Sequence, residues 1–222
     1  MQKDLYLTED NRKEKNAQWI EECRKYKNTE PFAFDLKKAA LIVLDMQKVF
    51  LREDSHAFIP SGATIVPIIN KLVAKFNEYK RPIIFSRHIF PENKETLLYK
   101  IWRNSIDLNQ EESELIEEVK SGGIILIKRN YSAFKKTNLE TLLRKNKVKQ
   151  VVVTGLMSHL CCDTTTRDAF MMGYEPFFVV DATATYNETL HLGTLRALSH
   201  GFSVPIVSEE IINWKENPKE EK

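Results

Sequence analysis

Six short apolar stretches, each rich in Ile, Val or Phe, recur along the 222-residue chain. In each stretch consecutive positions are apolar, which is the pattern of strands that helices cover on both faces. The stretches are AALIVLD at 39–45, PIIFSR at 82–87, GIILIK at 123–128, QVVVTG at 150–155, PFFVVD at 176–181 and SVPIVS at 203–208. This pattern predicts six strands that are largely buried.

Segments with helical spacing of apolar residues lie between these strands, at 64–79, 137–146, 161–173 and 189–201. The alternation of strand and helix predicts right-handed crossovers and a mainly parallel, doubly wound sheet. The expected fold class is therefore α/β, a three-layer α/β/α sandwich with six strands, over residues 36–212. Residues 1–35 are more polar and predict a helical and extended arm, and residues 213–222 predict a flexible tail.

Composition narrows the choice of ligand. The 33 basic and 31 acidic residues leave a net charge of +2, which is too balanced for a nucleic-acid or membrane surface. We therefore expect a small-molecule substrate. The three cysteines do not suggest a disulfide framework, and the chain shows neither a signal-type segment nor an apolar run near the roughly 20 residues that span a bilayer. A cytoplasmic protein is expected.

Reactive side chains lie where the predicted strands end. Asp45 ends the first strand, Arg87 and His88 the second and Lys128 the third, while the fourth leads through a short loop to Cys161. Ligands of open parallel sheets bind outside the carboxyl ends of the strands, so we expect a site there. A helix cap for Asp45 and a solvent-exposed Lys128 are the structural alternatives.

Two adjacent cysteines follow the fourth strand. Cys161 is expected in the first turn of a helix that begins near residue 160, where the helix N-terminus and the Lys128 ammonium would lower its pKa. Cys162 points about 100° away around the helix and is expected to pack in the core. For an isolated pair, burial of both is the commoner outcome. The expected proximity of Asp45 and Lys128 instead favours a nucleophilic Cys161 with backbone N–H groups as oxyanion donors.

Three segments resemble the isochorismatase-like cysteine hydrolases over residues 36–208: ALIVLDMQKVF, IKRNYSAFKKTNLETLL and VVTGLMSHLCCDTTTRDAFMMGYEPFFVVDATAT. The resemblance implies a catalytic triad of Asp45, Lys128 and Cys161. It also implies a non-proline cis peptide near Leu156 and Met157, with oxyanion donors from the main chain of Met157 and Cys161. Members of this family are commonly homo-oligomers, so a homo-oligomer is expected here as well.

The resemblance leaves the substrate open. True isochorismatases cleave a vinyl ether and commonly have Gly where Cys161 stands, so the cysteine favours cleavage of an amide or carbamoyl C–N bond through a thioester. Nicotinamidases bind a metal through Asp-x-His after the second strand. The chain has Ser86, Arg87 and His88 there, so we expect no metal and no other cofactor. A vinyl-ether hydrolase that uses Asp45 alone, and a catalytically silent binding or scaffold protein, remain alternatives.

Six residues are candidates for substrate binding. His88 can contact substrate or move a proton, and Arg87 can bind a carboxylate in a bidentate pair. The four aromatic candidates are expected to wall the pocket: Phe50, Trp102, Tyr131 and Phe134. Core packing and surface ion pairs are the competing roles. The segment at 95–119 is expected over the site, and His159 faces either the site or a neighbouring subunit.

The sequence lacks the motifs of two other classes of α/β protein. A phosphorylated receiver domain needs an acidic pair that holds Mg²⁺, whereas Leu36 is followed by Lys37 and Lys38. A nucleotide-binding protein would show a glycine-rich phosphate loop after a strand, and neither G-x-G-x-x-G nor G-x-x-x-x-G-K-[ST] follows one here. A hydrolase is therefore the leading interpretation.

Overall fold

Six parallel strands form one sheet in the computed structural model, which describes residues 2–27, 31–90, 92–119 and 122–216. The sheet order is β3-β2-β1-β4-β5-β6. The strands are β1 (Ala39–Leu44), β2 (Ile83–His88), β3 (Ile124–Lys128), β4 (Gln150–Leu156), β5 (Glu175–Ala184) and β6 (Val204–Ile206). This arrangement confirms the predicted α/β sandwich, and the sheet is parallel throughout.

The chain moves outward from β1 to β3 and then, from β4, outward to β6 on the other side. Because crossovers of this kind are right-handed, the helices of the two halves pack on opposite faces of the sheet. The helices are α1 (Arg12–Arg24), α2 (Lys48–Leu51), α3 (Gly62–Glu78), α4 (Leu97–Trp102), α5 (Leu139–Lys145), α6 (Asp163–Met171), α7 (Glu188–Gly201) and α8 (Ser208–Ile212). The four helices predicted from spacing correspond to α3, α5, α6 and α7.

Burial follows position in the sheet. The central strands β1 and β4 are buried at every residue, as their continuous apolar sequences predict. The edge strand β3 departs from the prediction, because Ile124, Ile125 and Ile127 are 44%, 57% and 40% exposed. Among the residues that the structure describes, β3 pairs only with β2, so its outer edge and part of its surface are uncovered there. Apolar sequence alone did not distinguish this edge from the centre.

Gly155 allows β4 to pass close to β1. Its φ is +101°, and a Cβ atom at this position would lie 2.1 Å from the carbonyl oxygen of Leu44. Only glycine adopts that backbone angle readily and leaves that space empty. The close approach brings the end of β4 beside the end of β1, where Asp45 follows.

The N-terminal arm is packed onto the rest of the chain. Trp19 and Cys23 of α1 are buried, and Glu188 of α7 accepts hydrogen bonds from Trp19 and pairs with Lys15 at 2.7 Å. The arm thus contains a helix, and it forms part of the same core as the rest of the chain.

The predicted flexible tail is also partly packed. The Trp214 ring meets Tyr79 edge-on, with centroids 5.4 Å apart, and its indole N–H donates to the Phe34 carbonyl at 3.3 Å. The tail prediction is therefore wrong for Trp214, because an aromatic residue placed beside other aromatics gains from burial. Residues 217–222 lie outside the described residues. Within the part of the chain that the structure describes, no helix is long and apolar enough to cross a membrane.

Candidate active site

Four adjacent elements bring reactive side chains to one edge of the sheet. Asp45 follows β1, His88 ends β2, Lys128 ends β3, and Cys161 follows β4. All four are at least 90% buried: Asp45 is 1% exposed, His88 3%, Lys128 1% and Cys161 7%. The carboxyl ends of parallel strands meet at this edge, which is why residues far apart in sequence come together there.

The Lys128 ammonium is the centre of the cluster. Its Nζ lies 2.8 Å from Asp45 Oδ2 and donates to Cys161 Sγ at 3.2 Å. It also lies 2.7 Å from His88 Nδ1 and donates to the carbonyl of Asn130 at 3.1 Å. The structure therefore brings together the three side chains that were predicted as a triad, with His88 beside them.

The charges of Asp45 and Lys128 stabilise each other. Burial alone would raise the pKa of the Asp45 carboxyl, but the ammonium of Lys128 and the hydrogen bonds outweigh it, so the pKa is lowered. Burial alone would lower the pKa of Lys128, but Asp45 and Cys161 raise it. Removal of either partner would leave a buried charge without compensation. The resting site thus contains a carboxylate and an ammonium.

His88 is neutral in this environment. Burial, reinforced by the positive charge of Lys128, lowers the pKa of the His88 imidazole to about 3. A lysine ammonium only donates hydrogen bonds, so Nδ1 is the acceptor in the contact with Lys128. The ring proton of the neutral imidazole therefore resides on Nε2.

Cys161 is a thiol at rest. Burial raises the pKa of the Cys161 thiol to about 12, although the ammonium of Lys128 acts in the opposite direction. The expectation of a lowered pKa is therefore wrong for the free protein, because the argument from the helix terminus neglected desolvation. The cysteine also precedes α6 and lies in a π-helical turn from Ser158 to Cys162. A base near the thiol is needed to generate the thiolate.

The peptide bond between Leu156 and Met157 is cis, as the resemblance implies. This bond connects β4 to the turn that carries Cys161. Met157 and Cys161 both line the cavity described below. Their backbone N–H groups are thus candidates for oxyanion donors, and this role stays a prediction.

Two buried polar residues hold the cluster in place, and sequence reasoning had missed both as positioning residues. Ser86 donates from Oγ to Asp45 Oδ1 at 2.5 Å, and its own carbonyl accepts from the Asp45 N–H at 3.2 Å. Gln47 accepts from the His88 N–H at 2.7 Å and donates to the carbonyls of His88 and Ser113 at 3.0 and 2.8 Å. Polar residues inside apolar surroundings were the available signal, because each must find partners when buried.

A cavity of about 280 Å³ opens onto Cys161. Four of the six candidate binding residues line it, namely Phe50, His88, Trp102 and Tyr131. The Trp102 indole N–H donates to the Tyr131 hydroxyl at 2.8 Å, which joins the segment at 95–119 to the loop after β3. Trp102, Asn104 and Ile106 come from that segment, so its predicted position over the site agrees with the structure.

Two candidates lie elsewhere. Arg87 alternates with His88 along β2 and points away, where it donates to the carbonyls of Leu108 and Ser113, both at 2.6 Å. Its predicted role in binding a substrate carboxylate is wrong for this geometry, because the guanidinium already holds the segment at 95–119. Phe134 is buried against Tyr174, with ring centroids 5.9 Å apart, and does not line the cavity.

His159 contacts its own chain. Its Nδ1 lies 2.6 Å from the hydroxyl of Thr185, next to Tyr186 in the loop after β5. Burial lowers the pKa of the His159 imidazole. His159 does not line the cavity, so the structure places it beside the site rather than in it.

Three members of the cluster carry atoms of the kind that bind metal ions. Asp45, His88 and Cys161 carry donor atoms that all lie within 4.8 Å of one another. The Lys128 ammonium is already within 3.2 Å of a donor atom of each, so a divalent cation would meet a buried like charge there. The residues present therefore do not fit a metal ion.

These features define a class of protein: a parallel α/β sandwich with a buried cysteine, lysine and aspartate at the carboxyl edge of the sheet. The family profile described as "Isochorismatase domain" matches residues 39–210. The chain belongs to this family, and it is a hydrolase.

Relatives within the family carry different names. Nicotinamidase 3 of Arabidopsis thaliana is 37% identical over 176 residues, which cover 75% of this chain and 83% of that protein. Enterobactin synthase component B of Escherichia coli is 26% identical over 193 residues, which cover 83% of this chain and 66% of that protein. These relatives agree with membership of the family, and their names differ in the activity that they state.

Solved structures give the same family. A cysteine hydrolase from Pseudomonas syringae matches with a TM-score of 0.79 and 26% identity, over 84% of this chain and 96% of that chain. N-carbamoylsarcosine amidase from Thermoplasma acidophilum matches with a TM-score of 0.69 and 25% identity, over 81% of this chain and 99% of that chain. These matches agree with the parallel α/β architecture.

Proposed function

We propose that the protein is a cysteine hydrolase that cleaves an amide or carbamoyl C–N bond of a small molecule through a thioester. One observation carries the proposal: Cys161 lines the cavity with its Sγ 3.2 Å from Lys128 Nζ, which itself lies 2.8 Å from Asp45. This set supplies a nucleophile, a base and a fixed positive charge. The relatives named as a nicotinamidase and as an N-carbamoylsarcosine amidase support the choice of a C–N bond.

Acylation begins with transfer of the thiol proton of Cys161 to the Asp45 carboxylate. A carboxylate oxygen of Asp45 lies within 4.8 Å of Sγ, and its negative charge contributes to the raised pKa of the Cys161 thiol. The sulfur attacks the substrate carbonyl, and the carbonyl π electrons move to oxygen, where backbone N–H groups of Met157 and Cys161 stabilise the charge. When the C–N bond breaks, Asp45 returns the proton to nitrogen, so that ammonia or an amine leaves.

Deacylation uses the same carboxylate. Asp45 takes a proton from water, the hydroxide oxygen bonds to the thioester carbonyl, and the C–S bond breaks. The proton then returns to sulfur, which restores the thiol and releases the carboxylic acid. Lys128 stabilises the negative charge that moves between Asp45 and Cys161, because its ammonium is in contact with both.

The high pKa of the resting thiol is consistent with this sequence of steps. A thiol with a pKa of about 12 is mostly protonated at neutral pH, so nucleophilicity depends on the transfer to Asp45. The lowered pKa of Asp45 keeps its carboxylate ionised, but it also makes the carboxylate a weak base. Proton transfer from the thiol is therefore uphill, and the Lys128 ammonium stabilises the thiolate that it forms. The triad is then a unit in which each member has a distinct task.

A vinyl-ether hydrolase is the second candidate, because a relative in Bacillus subtilis is named Isochorismatase. In that mechanism Asp45 protonates the vinyl ether and Cys161 takes no part. The presence of a cysteine with its sulfur in contact with the Lys128 ammonium favours the thioester route.

The deciding experiment is a panel of amides, carbamoyl amines and isochorismate, assayed for product release with the wild type and Cys161→Ala. Cys162→Ala is the matched control, since it removes the neighbouring thiol, which is buried away from the cavity. We expect ammonia or amine release that Cys161→Ala abolishes and Cys162→Ala retains. Turnover of isochorismate by Cys161→Ala at the wild-type rate would contradict the proposal.

A catalytically silent scaffold is tested separately by treatment with a small electrophile and peptide mass spectrometry. Cys23 and Cys162 are fully buried, whereas Cys161 lines the cavity. We expect preferential labelling of Cys161. Equal labelling of the three cysteines would favour the scaffold.

We also propose that the protein forms a homo-oligomer. Exposed Ile124, Ile125 and Ile127 on the edge strand β3 support this, because apolar residues on an uncovered sheet edge favour association. Light scattering after size-exclusion chromatography should give a multiple of the 25.9 kDa chain mass, and a monomer would contradict it.

A further inference from the structure

The N-terminal arm contributes a side chain to the active-site cavity. Lys3 lines the cavity together with His56 and Tyr186. Its Nζ donates to the His56 carbonyl at 2.9 Å and lies 4.9 Å from the centroid of the Tyr186 ring. The arm is fixed there, because the N–H of Asp4 donates to the Tyr186 carbonyl at 2.7 Å. Lys3 is therefore held between two segments that are distant in sequence.

Lys3 supplies the uncompensated charge of this cavity. The Lys128 ammonium behind Cys161 is paired with Asp45. Across residues 2–27, 31–90, 92–119 and 122–216, no carboxylate forms an ion pair with Lys3, and none of the cavity-lining residues is acidic. Burial lowers the pKa of Lys3, which is the direction expected for a partly desolvated ammonium without a carboxylate beside it.

We propose that Lys3 binds a carboxylate of the substrate, so that the substrate class is a small amide or carbamoyl compound with a negatively charged end. This inference rests on the proposed function. The His56 carbonyl uses one of the three N–H bonds of the ammonium, which leaves donors for a carboxylate. Asn104 also lines the cavity, and its side-chain amide nitrogen is a further uncharged donor.

The cavity size agrees with this class. At about 30 Å³ for each water-sized group, a volume of about 280 Å³ holds a molecule of roughly nine non-hydrogen atoms. Aromatic residues form much of the cavity wall, so the charged end of the substrate is expected to face Lys3. The sequence predicted this role for Arg87, which lies outside the cavity.

The test uses succinamate and succinamide, which have the same number of non-hydrogen atoms and differ in charge. Binding to the Cys161→Ala protein is measured by calorimetry, so that the affinity is separate from turnover. We expect succinamate to bind about tenfold more tightly than succinamide. Lys3→Met in the same background should remove this preference by weakening succinamate alone, and Lys3→Arg should retain it.

Lys13→Met is the matched control, because it removes an equal charge from the same arm at a position exposed on α1 and outside this cavity. It should leave the preference unchanged. Equal binding of the two compounds, binding of neither, or a preference that survives Lys3→Met would overturn the inference. Release of ammonia from other amides by the wild type but not by Cys161→Ala would in those cases still support the proposed function, so the two failures are distinguishable.

Discussion

Replacement of Lys128 by Met removes the positive charge and keeps the length of the side chain. The Lys128 and Asp45 side chains are 0% and 1% exposed, so the variant leaves a buried carboxylate without its cation. Loss of one partner of a buried pair destabilises a protein by about 3–5 kcal/mol. The doubly neutral protein, Asp45→Asn with Lys128→Met, should lose less than the sum of the two single variants, because neither charge is left alone.

The pH dependence gives the sign of this effect. In the wild type the pKa of Asp45 is lowered, so its stabilising contribution is present above the unfolded value of 3.8 and is lost as the pH falls. Without Lys128, burial raises the pKa, and the variant loses about 1.4 kcal/mol for each pH unit between the unfolded and the raised value. Lys128→Met should therefore be destabilised more at pH 8 than at pH 5.

Urea denaturation followed by circular dichroism, at both pH values, measures all four proteins. We expect a coupling free energy of about 1–3 kcal/mol at pH 8 between the two substitutions. Additive losses that do not depend on pH would refute the reasoning, because they would mean that the charges of the two side chains do not interact in the folded protein.

Three further outcomes follow from the structure. Burial lowers the pKa of His88 to about 3 and that of His191 to about 4, from 6.5 in each case. Because the unfolded chain then binds protons that the folded protein does not, each histidine should lower the folding stability by about 2 kcal/mol as the pH falls from 6.5 to 5. A flat stability profile over that range, measured by urea denaturation, would contradict this. Gly155→Ala should prevent soluble folding or lower the melting temperature by more than 5 °C, because the added methyl group meets the backbone of β1; an unchanged melting temperature would be inconsistent with the close approach. Ser86→Ala should lower kcat about tenfold with little change in KM and move the acidic limb of the pH profile upward, since the ionised Asp45 loses a hydrogen bond; an unchanged profile would show that Ser86 does not act through Asp45.

Much of the architecture was predictable because strand and helix periodicities are local properties. The six apolar stretches correspond to the six strands, and the stripe at Ile65, Ile68, Ile69 and Leu72 identified α3. The position of reactive residues at strand ends followed from the rule for parallel sheets. Local patterns did not predict α2, α4 or α8, which are short and depend on tertiary contacts.

The site was predicted less completely, for physical reasons. The sequence marked Asp45 and Cys161 as candidates, but the pKa of the thiol depends on burial, which the sequence does not measure. Arg87 and His88 are adjacent, and only the direction of each side chain along β2 separates the one that holds the segment at 95–119 from the one in the cluster. The contribution of Lys3 depends on how the arm folds back, and no motif indicated it.

The central claim is that Cys161 forms a covalent acyl intermediate. The most direct measurement is peptide mass spectrometry of the protein after rapid acid quench during turnover of an amide that it hydrolyses. We expect the peptide with Cys161 to gain the mass of the acyl group, and Cys161→Ala to show neither the added mass nor turnover. Full turnover by Cys161→Ala, with no acyl adduct on the wild-type cysteine, would contradict the account.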